Sequence, residues 1–591
     1  MFKLEKEFEK IVKMLPDFGF SLNIRNKIEK CIWSMFSNSK KTDKIVIRGG
    51  GFHTEKLLKV IRKKYSKDNL NIESIIDDDM QGEEISGIPI INKLQEKNIN
   101  YDIVIISSFS YAKEMCNDYN KSKVRILNLY DELNKQGYNL TAPFYFYIEG
   151  NYEIPLYYKN IYELDKTKEN LEILIDSVLV LKDFKTSFYY IEEYINNGFD
   201  LYGIYEELKQ SLFKMFNIIK KTLEYRKRQD IIMFWIDAVP YEKLSWLPFI
   251  YSKKDNACFF ENAYTTTPYT HPTMHALFQG ALRLENYNIT QEEIDETNSE
   301  VIQDIQKANY NFFYAGYAGN KHISAKYRGK NSSIEVNMIR MVSVCKVYWE
   351  VLCCLLNSKT PIYCIAHSVA ETHEPYMSLF LGNERSYKTS EVLEQKQNKK
   401  SYSYLNEQLE FYSALLPDDM IKIYMSDHGN LLKLDTWQFK EQRIHPFFLV
   451  EGKNIQANII NGIFSYTNFK YIIKYILYRD KRYLEKAVSK YSIIEDVDRY
   501  SLKYINSLLH NGKIEHGMAY RGVVTSSDKY IRLANGKEFY FILPDESKNL
   551  IEDSRFSDRI AELSKIAGDY FLDLDKYPEF EHSKKLYIDK K

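Results

Sequence analysis

The chain lacks a charge bias: 81 lysines and arginines stand against 81 aspartates and glutamates in 591 residues. That balance leaves no electrostatic footprint for nucleic acid or an acidic partner. There is no dense basic patch, RNA-binding signature or zinc-finger spacing. The cysteines number seven, form no CxxC pair, and include the adjacent Cys353 and Cys354. This suits buried thiols better than a disulfide framework. The start, MFKLEKEFEK, lacks a basic-then-apolar leader. The most apolar stretch, MVSVCKVYWEVLCCLL at 341–356, carries Lys346 and Glu350, so it predicts a core helix and not a transmembrane segment. A soluble, cytoplasmic protein is expected. No repeat, low-complexity tract or Pro-rich linker separates its parts, so its domains are expected to pack together.

What is present concentrates in four segments. Phe260–Gly280 reads FENAYTTTPYTHPTMHALFQG, a hydroxyl-rich turn entering a helix that Pro272 suits at its start and Gly280 just past its end. Thr270 therefore sits where free N–H groups and the helix dipole favour negative charge. A hydroxyl held there can attack a phosphorus or sulfur centre once its proton is removed. The segments DIIMFWIDAVP (230–240), PIYCIAHSVAETHEPY (361–376) and IKIYMSDHGN (421–430) each begin as a β-prone run and end in acids or histidines. Ligands gather at the carboxyl ends of parallel strands, so Asp237, Thr270, Asp427 and His428 are expected around one point. Such a mixed O/N set suits a divalent cation: zinc, manganese or magnesium.

The chain from about Arg228 to Tyr570 resembles the sulfatase-like branch of the alkaline phosphatase superfamily. The resemblance rests on Asp237, then Asn262-Ala263-Tyr264 through Thr270-His271-Pro272-Thr273 to Gly280, then Thr372-His373-Glu374-Pro375-Tyr376, then Ser426-Asp427-His428-Gly429, in that order. The stretch from Tyr520, YRGVVTSSDKYIRLANGKEFYFILPDESKNL, resembles the closing strands of the same fold. The departures narrow the chemistry. Sulfatases of this group carry Cys or Ser, later oxidised to formylglycine, whereas this chain has Thr270. Met274 stands where they carry Arg, and Ala238 follows Asp237 where they carry a second aspartate. A Thr nucleophile with one strand-end acid resembles the phosphoethanolamine and phosphoglycerol transferases and related phosphodiesterases. Val369, four residues before His373, replaces the Asp of two-metal relatives.

The resemblance implies metal-dependent, ping-pong phosphoryl transfer. Asp237, Asp427, His428 and Thr270 would hold the metal, and Thr270 would form a phospho-threonine intermediate. His373 and His445, the latter in RIHPFFLV, would bind non-bridging oxygens or protonate the leaving group. His367 and Glu371 are read as shaping the pocket. His271 and His275 flank the nucleophile without a required role. Trp437 and Arg443 lie where substrate contacts could arise, with a plain surface role as the alternative. The substrate class expected is a small-molecule, glycan or lipid-linked phosphoester, in bacterial surface glycan or polysaccharide modification. A sulfuric ester hydrolase is one alternative and a catalytically silent scaffold or binding protein another.

In the N-terminal third, strands KIVIR (44–48) and 71–76, the turn Gly49-Gly50-Gly51, Asp77-Asp78-Asp79 and the run YDIVIISSFSYAKEM predict a small Rossmann-like sheet. The turn follows G-x-G-x-x, with Thr54 where a third glycine would stand. It could cradle a phosphate, with Asp77 placed like a ribose-binding acid. A structural or partner-binding role is equally open. The full expectation is an α/β protein: a Rossmann-like domain with N-terminal helices (1–140), a helical connector (141–227), and a sulfatase-like α/β sandwich (228–591).

Overall fold

The computed structural model describes residues 3–66, 69–78, 80–119, 123–149, 152–226, 228–316, 322–328, 342–373, 376–381, 391–430, 437–497 and 514–570, without the side chains of Glu149, Gln291, 391–395 and Ile514. Of the motif residues singled out above, Asp79, Glu374 and Pro375 lie outside this description.

The first sheet contains β1 (Lys44–Arg48), β2 (Asn71–Ile76), β3 (Glu84–Ile85), β4 (Ile88–Ile91), β5 (Ile103–Ile106) and β6 (Arg125–Asn128) in the order β3-β4-β2-β1-β5-β6. All its pairings are parallel except that of β3 with β4. Its strands are short isoleucine-rich runs buried on both faces, as a helix-covered parallel sheet requires. Helices follow at Phe144–Glu149, Glu153–Leu164, Lys168–Leu181, Phe184–Asn196 and Ile204–Glu224.

The second sheet holds the chemistry. It contains β7 (Ile231–Ile236), β8 (Cys258–Tyr264), β9 (Asn311–Ala315), β10 (Ile362–Ser368), β11 (Ile421–Ser426), β12 (Phe448–Glu451), β13 (Asn458–Ser465) and β14 (Val488–Ser489), ordered β14-β13-β8-β12-β11-β7-β10-β9. Strands β12 and β14 run against the rest. The alternation of β7 divides two cores. Ile232, Phe234 and Ile236 face the core shared with the N-terminal half, while Ile231, Met233 and Trp235 face the core under the helices Thr270–Gln279 and Phe469–Tyr478. A third, antiparallel sheet closes the C-terminal side: β15 (Ser492–Asp496), β16 (Tyr520–Val524), β17 (Asp528–Leu533) and β18 (Glu538–Ile542), in sequential order.

The parts pack as one body. The helix Leu4–Val12 does not stay with the small sheet. Its Phe8 ring packs edge-on against Phe184 at 5.6 Å and Trp349 at 5.5 Å, and the Lys182 ammonium sits over Phe8 at 3.4 Å. Buried Asp183 caps Phe184–Asn196 and accepts hydrogen bonds from the Tyr404 hydroxyl (2.7 Å) and the Gln408 amide (2.9 Å), on the helix Glu391–Ser413. Glu371 accepts from the Tyr152 hydroxyl and, at 2.9 Å, from the Val344 N–H that opens the helix Val344–Asn357. The predicted core helix at 341–356 is this one, and no helix among the described residues is long and apolar enough to cross a membrane.

Burial pushes the Glu371 carboxyl up to about 7 from an ordinary 4.5. The folded state then holds this proton more tightly than the unfolded chain, so stability is lost as pH rises from about 4.5 to about 7. Glu371→Gln is expected to flatten that part of the stability profile. The gain over wild type at pH 8 should reach about 3 kcal/mol if the amide keeps both hydrogen bonds, read from urea unfolding across pH.

Candidate active site

Strand register sets the level of the two key acids. Ile236 of β7 lies opposite Ser368 of β10 on one side and Ser426 of β11 on the other. The next residues, Asp237 and Asp427, therefore leave adjacent parallel strands side by side, at a strand spacing of about 4.8 Å. Both are buried. Ala238 then adopts a left-handed conformation (φ 57°), which costs a non-glycine residue about 1 kcal/mol. The turn points two N–H groups back into the site: Ala238 donates to Asp427 Oδ1 (3.0 Å) and Val239 to Ser426 Oγ (2.8 Å).

Thr270 opens the helix Thr270–Gln279, with Tyr269 as the residue before it and Gly280 in the left-handed position after it. Its hydroxyl donates to Asp237 Oδ2 at 3.0 Å and lies 3.3 Å from His428 Nε2. His428 Nδ1 is 2.8 Å from the Gly429 carbonyl, an acceptor only. Nδ1 therefore carries the proton, and the Nε2 lone pair faces the acids and the hydroxyl. Gly429 is required by close approach: a Cβ there would run into the Gln442 carbonyl, while its N–H donates to Arg443 O at 2.8 Å.

The resulting pocket has too many acceptors. Ligand atoms of Asp237, Asp427 and His428 all lie within 4.8 Å of one another. Asp237 Oδ1 and Asp427 Oδ2 are buried without a hydrogen-bond partner. The Thr270 hydroxyl has one hydrogen for two acceptors. Burial and the neighbouring Asp237 charge push the Asp427 carboxyl up. Burial acts on Asp237 in the same direction, but the His367 hydrogen bond and the nearby His428, His373 and His367 outweigh it and hold that carboxyl below the usual range. Orphaned buried carboxylate oxygens and a lone-pair nitrogen converging on one point are the donor set of a divalent cation. The residues present fit a single ion held by Asp237, Asp427, His428 and the Thr270 hydroxyl.

His367 and Tyr314 extend the site. Tyr314 of β9 is 2.7 Å from His367 Nδ1, and His367 Nε2 is 3.3 Å from Asp237 Oδ2. The ring also lies against Trp235, centroids 4.7 Å apart. Asp237 is thus steered from a strand two places away. Tyr314 carries no sequence signal, since it sits inside the plain β run NFFYA. His373 is half-buried and close enough for its charge to act on Asp237.

His445, expected to bind substrate oxygens, has both ring nitrogens against protein groups. Its Nε2 meets the Glu261 carbonyl at 2.9 Å and its Nδ1 meets Glu441 at 3.3 Å. The ring lies flat between Tyr241 and Tyr264, each 4.8 Å away. Glu441 in turn binds the fully buried Lys529 of β17 at 3.1 Å, and His445 stands two residues after Arg443, the residue that holds Gly429. Its geometry is that of a positioning group. Arg443 is buried, not a surface residue, while Trp437 is half-buried and packs on His516 (4.1 Å) and Phe439 (5.2 Å). His271 and His275 form a histidine cluster with His322: the His271–His322 rings are 4.6 Å apart, and His275 Nε2 is 3.0 Å from His322 Nδ1.

In the small sheet, Asp77 Oδ2 accepts from the Gly50 N–H at 2.6 Å, across the glycine turn. Behind it, buried His53 bonds Ser107 Oγ (2.9 Å) and Tyr130 OH (2.7 Å), and Phe144 and Tyr145 pack their rings against it at 5.1 and 5.7 Å.

A family model described as C2185-like, N-terminal, matches residues 41–127, the span of the small sheet. No curated protein sequence matches. Among solved structures, the chain is similar to a phosphonate monoester hydrolase of Agrobacterium radiobacter at 12% identity and a TM-score of 0.44, covering 57% of this chain and 94% of that one. It is similar to a 2-O GAG sulfatase at 14% identity and 0.42, covering 62% and 94%. It is also similar to a protein in the alkaline phosphatase superfamily from Vibrio parahaemolyticus at 14% identity and 0.40, covering 64% and 96%.

Two outcomes are expected of Asp427→Asn, which keeps the side-chain shape and removes one charge. With manganese at about 100 times its Kd, wild type should gain about 2.7 kcal/mol over its EDTA-treated form, and the variant little. In EDTA the order should reverse, the variant melting above wild type by about 1–3 kcal/mol because two buried carboxylates become one. Calorimetry of the four samples checks both.

Proposed function

We propose that the chain is a metal-dependent phosphoryl-transfer enzyme, a phosphodiesterase or phosphotransferase, with Thr270 as its nucleophile. The observation that carries this reading is the Thr270 hydroxyl at a helix N-terminus, hydrogen-bonded to Asp237 at 3.0 Å, beside the orphaned oxygens of two buried carboxylates. The motif resemblance of Asp237, Thr270, Thr372-His373 and Ser426-Asp427-His428-Gly429 to the sulfatase-like branch supports it. Thr270 also weighs against formylglycine chemistry, because threonine has no route to that aldehyde.

The cation that Asp237, Asp427 and His428 would hold supplies Lewis acidity, lowering the pKa of the threonine hydroxyl and polarising a phosphoryl oxygen. Thr270 Oγ1 forms a bond to phosphorus as the bond from phosphorus to the leaving oxygen breaks. Its proton leaves to solvent, and Asp237 Oδ2, the acceptor already in contact, holds the oxygen in place. His367, held by Tyr314, keeps that carboxylate oriented. The first-turn N–H groups of Thr270–Gln279 and the positive end of its dipole favour the phosphoryl oxygens. His373 protonates the leaving oxygen. Water or an acceptor alcohol then attacks phosphorus, giving its proton to His373, and the bond from phosphorus to Thr270 Oγ1 breaks, the oxygen regaining a proton from solvent. A glycan or lipid-linked phosphoester is the substrate class proposed.

The test compares bis-p-nitrophenyl phosphate with p-nitrophenyl sulfate in the presence of manganese or zinc. Phosphodiester turnover is expected, falling at least about 10³-fold in Thr270→Ala at saturating metal. His445→Phe, which keeps the ring stack but loses both polar contacts, should cost less than about tenfold if the residue only positions its neighbours. Sulfate turnover in place of phosphate would overturn the assignment.

A further inference from the structure

A cavity lies far along the chain from Thr270, between the loop after the first helix and the helices Lys168–Leu181, Phe184–Asn196 and Ile204–Glu224. It encloses about 510 Å³, within the range of small-ligand pockets. Its walls carry the aromatic rings of Phe18, Phe20, Tyr194, Phe199, Tyr202 and Tyr205. Tyr194 and Tyr205 lie against each other at a tilt of 33°, centroids 4.0 Å apart, and Phe199 meets Tyr194 edge-on at 5.5 Å. At the rim, Leu201 is 76% and Tyr202 87% exposed. Isolated exposed apolar residues are ordinary, but here they edge a cavity rather than a convex surface.

The charge of the lining is one-sided. Asp17, Glu169, Glu172, Asp176 and Asp200 face a single cation, Lys168, which pairs with Glu172 at 3.8 Å. Three of the acids have fixed structural partners. Asp176 accepts from the N–H groups of Gly19 (2.6 Å) and Ser21 (3.0 Å), Glu172 from the Tyr194 hydroxyl (2.6 Å), and Asp200 from the Glu206 N–H (2.9 Å). Asp17 and Glu169 are exposed and, among the described residues, have no ion-pair partner. A cleft lined by one sign of charge focuses its field inward. Aromatic faces add attraction for a cation, strongest for an alkylated ammonium that sheds water easily.

We propose that this cavity binds a small organic cation of the alkyl- or quaternary-ammonium class. The rings enclose its apolar body, and Asp17 and Glu169 complement its charge. The phosphoryl-transfer site plays no part in this assignment, and the cavity shares no residue with it.

Choline is the probe, and saturation-transfer NMR on its methyl resonance, with the full-length chain, is the measurement. Transfer is expected from choline and weaker or absent transfer from its uncharged tert-butyl isostere. Tyr202→Ala, at an exposed position, should weaken choline binding about fivefold. The double change Asp17→Asn with Glu169→Gln, also on exposed positions, should weaken it at least as much. No transfer at about 10 mM choline, a level that would detect a Kd in the millimolar range, overturns the proposal. Equal binding of the neutral isostere overturns it as well, leaving a merely apolar cavity, as does choline binding that neither variant changes.

Discussion

Asp237 and Asp427 emerge from neighbouring parallel strands at the same level, both out of water, and the surrounding structure is organised to tolerate that repulsion. In a low-dielectric interior two such charges cannot both stay ionised without compensation. The compensation visible in the chain is partial: two backbone N–H groups on Asp427, a histidine on Asp237, and the single hydrogen of Thr270. What remains is a deficit of positive charge with a defined position. That deficit explains the His428 tautomer and the glycine at 429 more economically than any role in stability, since each of them sharpens the pocket and neither relieves the repulsion.

The rest of the molecule keeps the strand ends in register. Three polar anchors tie distant segments to the central sheet: Glu371 joins the helix at 344 to Tyr152, Asp183 joins the connecting helices to Tyr404 and Gln408, and Lys529 joins the antiparallel sheet to Glu441. Each anchor is buried, so each forbids sliding more strongly than it adds stability. The last of these reaches the site in three steps, from Lys529 to Glu441, along the short helix to Arg443, and from its carbonyl to Gly429. His445 belongs to this chain of support, and its place between two tyrosines follows from it.

The small sheet makes a different use of similar parts. A glycine turn and a strand-end acid, which in a dinucleotide-binding unit meet a ligand, here meet each other, and the aromatic residues at 144–145 pack over the buried histidine behind them. That turn is thus closed by one of the chain's own acids.

Local chemistry was written plainly in the residues. Mostly apolar runs such as IIMFWI and IKIYMS marked strands buried on both faces, a proline and a glycine bracketed the Thr270 helix, and one acid or histidine at each strand end marked where ligands gather. Those features depend on neighbours within a few positions, which is why Asp237, Thr270, Asp427 and His428 could be named together from the chain. The place of Tyr314, the hydrogen bond from Gly50 to Asp77, the partners of His445 and the acid-lined aromatic cavity depend on contacts between segments tens to hundreds of residues apart. No periodicity or motif encodes them. A side chain's role there is set by which partner reaches it first when the sheets and helices pack, and only the tertiary structure decides that.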